Sequence, residues 1–152
     1  MGNCEACALS LGEKPLPGGL IFRTEHWLVE HCVGPLGLGT LIVKSERHLT
    51  AVAELSTEES AELGPLLRLS SSVAQRLVPA VQVYNCLWSH AGGTPVHIHY
   101  VVQPVTKDQL AHFDSHGPAL QAAMFATGAT PDPADVVRVA DHARTLFGSA
   151  VT

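Results

Sequence analysis

The sequence predicts an α+β fold: a mostly antiparallel sheet of about five strands with packed helices. Segments with strand composition come in adjacent runs, and segments with helical periodicity are inserted between them or follow them. Apolar residues make up 46% of the 152-residue chain and charged residues only 15%, which is enough apolar surface for one well-buried core. These three observations favour a single globular domain.

The strands are predicted from short runs rich in Val, Ile, Leu and aromatic residues. They are residues 20–23, 27–31, 41–44, 81–88 and 96–103. A short turn separates the first pair, and the glycine-containing residues 89–95 join the last pair. Such connections suit antiparallel neighbours.

The first long helix has a clear start signal. Ser56 and Glu59 form a capping box, and apolar residues then recur at helical spacing up to Leu77. Pro65 lies within this run, so we expect it to kink the helix or to delay its start.

Two more helices are predicted in the last third of the chain. Thr106 with Gln109 begins one of them. Asp132 is the expected cap of the last helix, with Pro133 at its first position.

Charge and hydropathy argue against two classes of partner. The net charge is −5, from 9 basic and 14 acidic side chains, and no basic stripe is present for duplex nucleic acid. No apolar run approaches the ~18 residues of a membrane span. Because no basic segment followed by an apolar one marks a signal peptide, we expect a cytoplasmic protein.

Cys4 and Cys7 form a C-x-x-C pair near the start of the chain. Three interpretations are open: a zinc site, two inert buried thiols, or a redox pair. A redox pair is typical of a βαβ context, and we predict no helix directly after the motif. A closed zinc site needs four ligands, and His48 and His97 are the candidates for the other two.

His97, His99 and Val101 alternate along a predicted strand and therefore share one of its faces. An imidazole with the reference pKa of about 6.5 is largely neutral near pH 7. A neutral imidazole can attack phosphorus without prior deprotonation and form a covalent intermediate. Two histidines at this spacing indicate a reactive site.

The loop before these histidines suits an anion. Gly92 and Gly93 allow close approach of backbone N–H groups to a ligand, and Thr94 adds a hydroxyl donor. The sequence therefore predicts a phosphate site at residues 92–94.

Residues 92–102, GGTPVHIHYVV, resemble the signature strand of the histidine triad superfamily. Residues 20–31 resemble the N-terminal hairpin of this family, and residues 39–48, GTLIVKSERH, resemble the strand that follows it. The resemblance implies a histidine triad fold with a core over residues 1–105, including the C-x-x-C pair. Residues 106–152 would be a C-terminal helical extension of the same domain.

The resemblance extends to the zinc-binding branch that includes galactose-1-phosphate uridylyltransferases. It implies a structural Zn²⁺ held by Cys4, Cys7, His48 and His97. It also implies a homodimer, since family members pair through their sheets and helices.

The resemblance assigns the remaining site residues. The second signature histidine is the family's nucleophile, which implies that His99 is catalytic, and Thr94 takes the phosphate-contacting position. Asn85 lies one position out of register with a phosphate-contacting asparagine. Together with Gly92 and Gly93, these residues are the predicted phosphate contacts.

The third signature position departs from the family pattern. It is histidine in the hydrolases and glutamine in the uridylyltransferases, and here it is Val101, which cannot donate to a leaving oxygen. Loss of such a donor typically costs two to three orders of magnitude in rate. In an alternative register His97 is the nucleophile and His99 the third histidine, which leaves zinc one ligand short.

Two further departures concern the nucleoside. Cys32 replaces the aspartate that usually holds the ribose, and Glu30 replaces an apolar residue of the base pocket. Either Glu30 holds the ribose from a shifted position, or the ligand is a different phosphorylated small molecule. The apolar lining of the pocket is predicted to be Leu20, Phe22, Leu28 and Val33.

The leading functional hypothesis is a nucleotidyl hydrolase or transferase. It would act on a nucleotide phosphoanhydride, phosphoester or phosphoramidate through a covalent adduct on His99. The alternative is a non-catalytic, zinc-stabilised module that binds a nucleotide or another phosphorylated small molecule. A third hypothesis is a metal or thiol sensor that uses Cys4 and Cys7.

Overall fold

The structure, a computed structural model, describes residues 4–90 and 93–151. It contains a five-stranded sheet in the order β1-β2-β3-β5-β4, with every neighbouring pair antiparallel. The strands are β1 Leu20–Arg23, β2 Trp27–His31, β3 Leu41–Ser45, β4 Ala80–Leu87 and β5 His99–Thr106. The predicted α+β class and antiparallel sheet are confirmed.

Helices precede, interrupt and follow the sheet. They are α1 Glu5–Ser10, α2 Thr57–Leu77, α3 Lys107–Phe113, α4 Gly117–Thr127 and α5 Pro133–Val151, with a short 3₁₀ helix at Val52–Glu54. Within the described part of the chain, no helix combines the length and apolar character needed to cross a membrane.

The starts of α2, α3 and α5 are those that the capping signals predict. Ser56 and Glu59 make both hydrogen bonds of a capping box at the start of α2, and Thr106 with Gln109 does the same for α3. The α2 helix begins at Thr57 and continues through Pro65, so the proline does not delay its start. The Asp132 carboxylate accepts from the Ala134 amide at the start of α5.

Two local predictions were wrong. The signature strand was predicted over residues 96–103, but β5 begins only at His99 and continues to Thr106. Its start is delayed because the Ile98 amide donates to the Leu49 carbonyl, 2.9 Å away, beyond the end of β3. No helix was expected directly after the C-x-x-C pair, but Cys7 lies in the helix α1. A hydrogen bond from the Ala8 amide to the Cys4 carbonyl closes the first turn of this helix.

The main core lies on one face of the sheet, under α2 and α5. Ile98 and Val102 point into it, on the face opposite to His99. Ala140, Ala143 and Phe147 of α5 pack here, and the ring of Phe147 stacks on Phe22 with centroids 4.7 Å apart. This face is therefore filled by apolar side chains of the described residues.

The other face of the sheet is covered only in part. Helix α4 packs on it through Leu120 and Met124, which contact a second apolar cluster that contains Ile42, Val101 and Val105. A pocket that α1 and α4 both line is left on this face, beside His99. The placement of these two helices thus defines the candidate site.

Candidate functional site

Four potential metal ligands meet beside the sheet. Cys4 directly precedes α1 and Cys7 lies within it. His48 follows β3, and His97 precedes β5. Their sulfur and ring nitrogen atoms all lie within 4.8 Å of one another. The structure therefore brings together the four residues that the resemblance implies as zinc ligands.

The separations of these atoms match a tetrahedral zinc site. Cys4 Sγ lies 3.6 Å from His97 Nδ1, and Cys7 Sγ lies 3.4 Å from Nδ1 of both His97 and His48. Tetrahedral zinc with bonds of about 2.3 Å to sulfur and 2.0–2.1 Å to nitrogen places sulfur and nitrogen about 3.6 Å apart. The donor set and its spacing fit Zn²⁺.

The hydrogen bonding of His97 prepares it as a ligand. Its Nε2 lies 2.8 Å from the Ser45 carbonyl oxygen. Because a carbonyl only accepts, Nε2 carries the hydrogen and Nδ1 has the lone pair. That single lone pair faces two sulfur atoms, an arrangement typical of a metal ligand oriented by a carbonyl. Burial also lowers the pKa of His97, which favours the neutral ligand form.

Cys7 lacks the character of a reactive thiol. Burial, followed by the hydrogen bond and charge of the neighbouring Cys4, raises the pKa of the Cys7 thiol. Reactive or redox-active cysteines have a lowered pKa, since the thiolate is the nucleophile. A bound Zn²⁺ would stabilise both thiolates and release their protons. These features favour zinc binding over a thiol sensor.

His99 presents one ring nitrogen for chemistry. Its Nδ1 lies 2.9 Å from the His97 carbonyl oxygen, so Nδ1 carries the hydrogen. The lone pair is then on Nε2, and the half-buried side chain lines the pocket next to Val101. His97 has no equivalent free nitrogen, because one donates to Ser45 and the other faces the cysteines. This geometry favours His99 as the nucleophile over the alternative register.

The pocket beside His99 is mostly apolar with a few polar groups. Its floor comes from β2, β3 and β5, and includes Glu30, Ile42, Lys44 and Val101. One wall is α1 with Cys4, Glu5, Ala6 and Leu9. The opposite wall includes Trp88, Gln121 and Phe125. Apolar pockets with a small number of convergent polar groups are typical of small-molecule sites.

A buried ion pair lies on the pocket floor. The Lys44 ammonium donates to Glu30 Oε1 at 2.7 Å, and these side chains are 0% and 5% exposed. Burial raises the pKa of Glu30, and Lys44 opposes this rise. The backbone of Lys44 is paired with that of His99, so both side chains leave the same face of the sheet. Lys44 was not predicted as a site residue, although a lysine within the apolar run of β3 was a visible signal.

The predicted ligand contacts of the hairpin are partly in place. Glu30, Cys32 and Val33 line the pocket. Burial raises the pKa of Cys32 to about 11, so its thiol stays neutral and cannot replace the charge of an aspartate. Glu30 is therefore the acidic group of the hairpin that reaches this pocket.

The other predicted apolar contacts lie elsewhere. Leu20 and Leu28 line a neighbouring cavity, which the Cys₂His₂ cluster also borders. Phe22 packs in the helical core against Phe147. Leu20 pairs with Glu30 but Phe22 pairs with Val29, because a register irregularity in β1 turns Phe22 to the opposite face from Leu20.

The predicted phosphate loop is only partly seen. Gly92 lies outside the described residues. Gly93 lines the pocket with φ of +82°, a left-handed conformation that suits glycine, and its amide donates to the His90 carbonyl. Thr94 is exposed and is not part of the pocket lining.

Asn85 does not reach the pocket. Its side-chain amide donates to the Ser71 hydroxyl of α2, 3.0 Å away, on the helical face of the sheet. The next residue, Cys86, lines the pocket instead. A shift of one position along a strand reverses the face, so the one-residue offset from the family pattern removes this contact.

The C-terminal extension supplies residues that the sequence did not predict. Phe125 of α4 stacks on Trp88 with ring centroids 5.8 Å apart, and both line the pocket. Gln121 donates to Gln103 Oε1 at 2.9 Å, which anchors α4 on β5. No local motif marks these residues, because their position depends on where α4 packs.

No family model matches the sequence. Several solved structures share its fold. One is a hypothetical histidine triad nucleotide-binding protein from Sulfolobus tokodaii, with TM-score 0.71, 18% identity and coverage of 96% of this chain and 93% of that chain. A zinc-bound histidine triad family protein from Mycobacterium smegmatis has TM-score 0.68, 18% identity and coverage of 99% and 96%.

A Hit-like protein from Bartonella henselae, described as involved in cell-cycle regulation, has TM-score 0.71 with 12% identity, over 96% of this chain and 97% of that chain. These similarities show that the chain has the fold of histidine triad proteins. It combines that fold with a Cys₂His₂ cluster and an apolar pocket beside His99.

Proposed function

We propose that this chain is a zinc-bearing histidine triad protein, related to the branch of galactose-1-phosphate uridylyltransferase. It acts as a nucleotidyl hydrolase or transferase on a phosphoanhydride, phosphoester or phosphoramidate. The observation that carries this proposal is the hydrogen bond from His99 Nδ1 to the His97 carbonyl oxygen. This hydrogen bond leaves Nε2 with the lone pair, on a side chain that lines the pocket. The test is turnover of adenosine phosphoramidate or a dinucleoside polyphosphate, measured with and without His99.

The chemistry uses the chain's own residues. His99 Nε2 attacks phosphorus, the bond to the leaving oxygen or nitrogen breaks, and the leaving group takes the electron pair. The resulting phosphoramidate adduct is then cleaved by water or by an acceptor alcohol or phosphate, which releases the imidazole. Val101 is 4% exposed and has no proton for the leaving group, so departure of a poor leaving group is expected to be slow.

Zinc has a structural role in this proposal. Cys4, Cys7, His48 and His97 supply four ligands, which leaves no open position for substrate. Zinc would tie α1 and the segment after β3 to the start of β5, and so hold the backbone that supports His99.

Glu30 is the proposed anchor for the rest of the substrate. Lys44 holds one of its carboxylate oxygens, and the residue lines the pocket with His99. A carboxylate accepts hydrogen bonds from ribose hydroxyls or from N–H groups. This supports a nucleotide as ligand, with the ribose held from a position shifted relative to Cys32.

The second candidate function is a non-catalytic, zinc-stabilised module that binds a nucleotide or another phosphorylated small molecule. Val101 favours it, because an apolar side chain packed into the second cluster occupies the place of the third donor. Binding of these ligands without turnover of any of them would identify this module.

The domain arrangement and location are also proposals. We propose that residues 106–152 belong to the same domain, since α4 supplies part of the pocket and α5 packs on the main core. A cytoplasmic location is supported by four free cysteines, which suit a reducing compartment. The pocket beside His99 supports a small-molecule partner, and the net charge of −5 disfavours an anionic membrane surface or duplex nucleic acid as partner.

Val101→His is expected to raise turnover of a substrate with a poor leaving group by about a hundredfold, because it restores a proton donor two residues from His99. A substrate with a good leaving group needs no proton and should gain little. Steady-state kinetics on one substrate of each kind measures the difference. Val101→Phe is the matched control, since it adds a ring of similar size without a donor. Equal effects of the two variants would contradict the proposed role.

A homodimer through the β4 edge is expected at micromolar concentration. Among the described residues, β4 pairs on one side only, and it offers eight residues, whereas the β1 edge offers four with an irregular register. Long edges with unpaired backbone groups favour pairing with another chain. Light scattering should give the mass of two chains.

Val81 on β4 and Val137 on α5 are both 45% exposed, which makes them a matched pair of test positions. Val81→Lys should shift the protein toward the monomer, while Val137→Lys should leave the dimer unchanged. A monomeric mass for the unmodified protein would remove the dimer from the proposal.

A further inference from the structure

Lys44 makes two contacts that join separate parts of the molecule. Its ammonium donates to Glu30 Oε1 at 2.7 Å and to the Ala6 carbonyl oxygen at 2.9 Å. The side chain is 0% exposed. A charge this deeply buried is stable only when partners hold it, and both acceptors contribute to that.

The Ala6 carbonyl belongs to the segment that carries the zinc ligands. Ala6 lies between Cys4 and Cys7 in α1, a helix of only six residues. Isolated helices of this length are not stable in water, so α1 depends on its attachments. Those attachments are the cysteines of the zinc cluster and the Lys44 hydrogen bond. The ion pair between Lys14 and Glu5 is exposed and contributes little.

Glu30 belongs to the ligand pocket, and so does α1. Cys4, Glu5, Ala6 and Leu9 form one wall of the pocket whose floor contains Glu30 and Lys44. A displacement of α1 would therefore move a wall of the pocket. It would also remove one of the two acceptors that hold the Lys44 ammonium against Glu30.

We propose that Lys44 is a positioning residue that couples zinc occupancy to ligand affinity. Zinc holds α1 in place, the Ala6 carbonyl holds Lys44, and Lys44 holds the Glu30 carboxylate toward the ligand. The identity of the ligand rests on the proposed function, while the connection from α1 to Glu30 does not. By linkage, a ligand that binds the zinc-loaded form more tightly raises zinc affinity by the same factor.

The first measurement is AMP binding by calorimetry, with zinc-loaded protein and with protein stripped by a chelator. Zinc removal is expected to weaken AMP binding by about tenfold or more, within the usual range of coupling between sites. Saturating AMP should raise zinc affinity by an equal factor in a chelator competition. Equal AMP affinity with and without zinc would overturn the proposal.

The second measurement uses variants of the ion pair. Lys44→Met alone leaves a buried carboxylate without its partner and is at risk of unfolding. The double variant Glu30→Leu, Lys44→Met removes both charges with little change in volume and keeps all four zinc ligands. The coupling factor is the ratio of AMP affinities with and without zinc. In the double variant it is expected to be at least about threefold lower than in the unmodified protein. A smaller fall between folded proteins would show that coupling does not pass through Lys44. If the zinc-free chain unfolds, the zinc-release rate decides instead.

Lys14→Met is the matched control, because it removes an exposed ion pair of the same helix and should leave the coupling factor unchanged.

The zinc-release rate, followed with a chromogenic chelator, needs no ligand. It should increase about tenfold or more in the double variant and change little in Lys14→Met. If AMP does not bind the zinc-loaded protein, the proposed nucleotide function is wrong. The zinc-release rate then still tests whether Lys44 connects Glu30 to α1. An unchanged release rate in the double variant overturns the proposal.

Discussion

Replacement of His99 by alanine is expected to abolish the covalent adduct and to lower turnover by about three orders of magnitude or more. The variant loses the Nε2 lone pair, and the described pocket lining offers no second imidazole with a free nitrogen, since His97 uses both of its nitrogens. Intact-mass analysis after mixing with an activated adenylate reveals the adduct, and peptide mapping locates it.

Two further variants make this test specific. His142→Ala changes an exposed histidine on α5 and should leave both adduct and turnover unchanged. His97→Ala should chiefly release zinc. An adduct on His97 in the unmodified protein would support the alternative register, whereas the absence of adduct and turnover with every substrate would favour the binding module.

Removal of zinc is expected to lower the melting temperature by about 8–16 °C. A ligand at 1,000 times its Kd stabilises the folded state by about 4 kcal/mol. For a chain of this size each kcal/mol corresponds to about 2–4 °C. The physical reason is that zinc would join α1, the segment after β3 and the segment before β5, which are separated by long stretches of sequence.

The zinc prediction is checked by elemental analysis of protein purified without chelator, which should give one zinc per chain, followed by thermal melting. Cys7→Ser removes one ligand and should reproduce most of the loss. Cys86→Ser is the control, because Cys86 lies outside the cluster and Ser can still accept the Gln121 hydrogen bond. A metal-free protein with an unchanged melting temperature would contradict the proposal.

Much of the fold could be predicted because its signals are local. The capping box of Ser56 and Glu59 and the start of α5 at Pro133 depend on residues a few positions apart. The first three strands were predicted to within one residue at each end. The start of β5 was predicted wrongly because the Ile98 amide donates a hydrogen bond to the Leu49 carbonyl. A partner so far away in the sequence cannot be predicted from the local pattern.

The candidate site was predictable only in part. The spacing of Cys4 and Cys7 identified a candidate ligand pair, and alternation placed His99 and Val101 on one face. Asn85 shows the limit of such inference, since an offset of one residue placed it on the opposite face, against Ser71.

The sequence by itself determined the α+β class, the helix caps and the residues able to bind metal or attack phosphorus, because period and spacing follow from backbone geometry. Only the tertiary structure decided what surrounds His99. The ion pair of Glu30 and Lys44, and the arrival of Gln121 and Phe125 on α4, depend on which distant segment covers each face of the sheet. That choice follows from burial and packing over the whole chain, which no local pattern encodes.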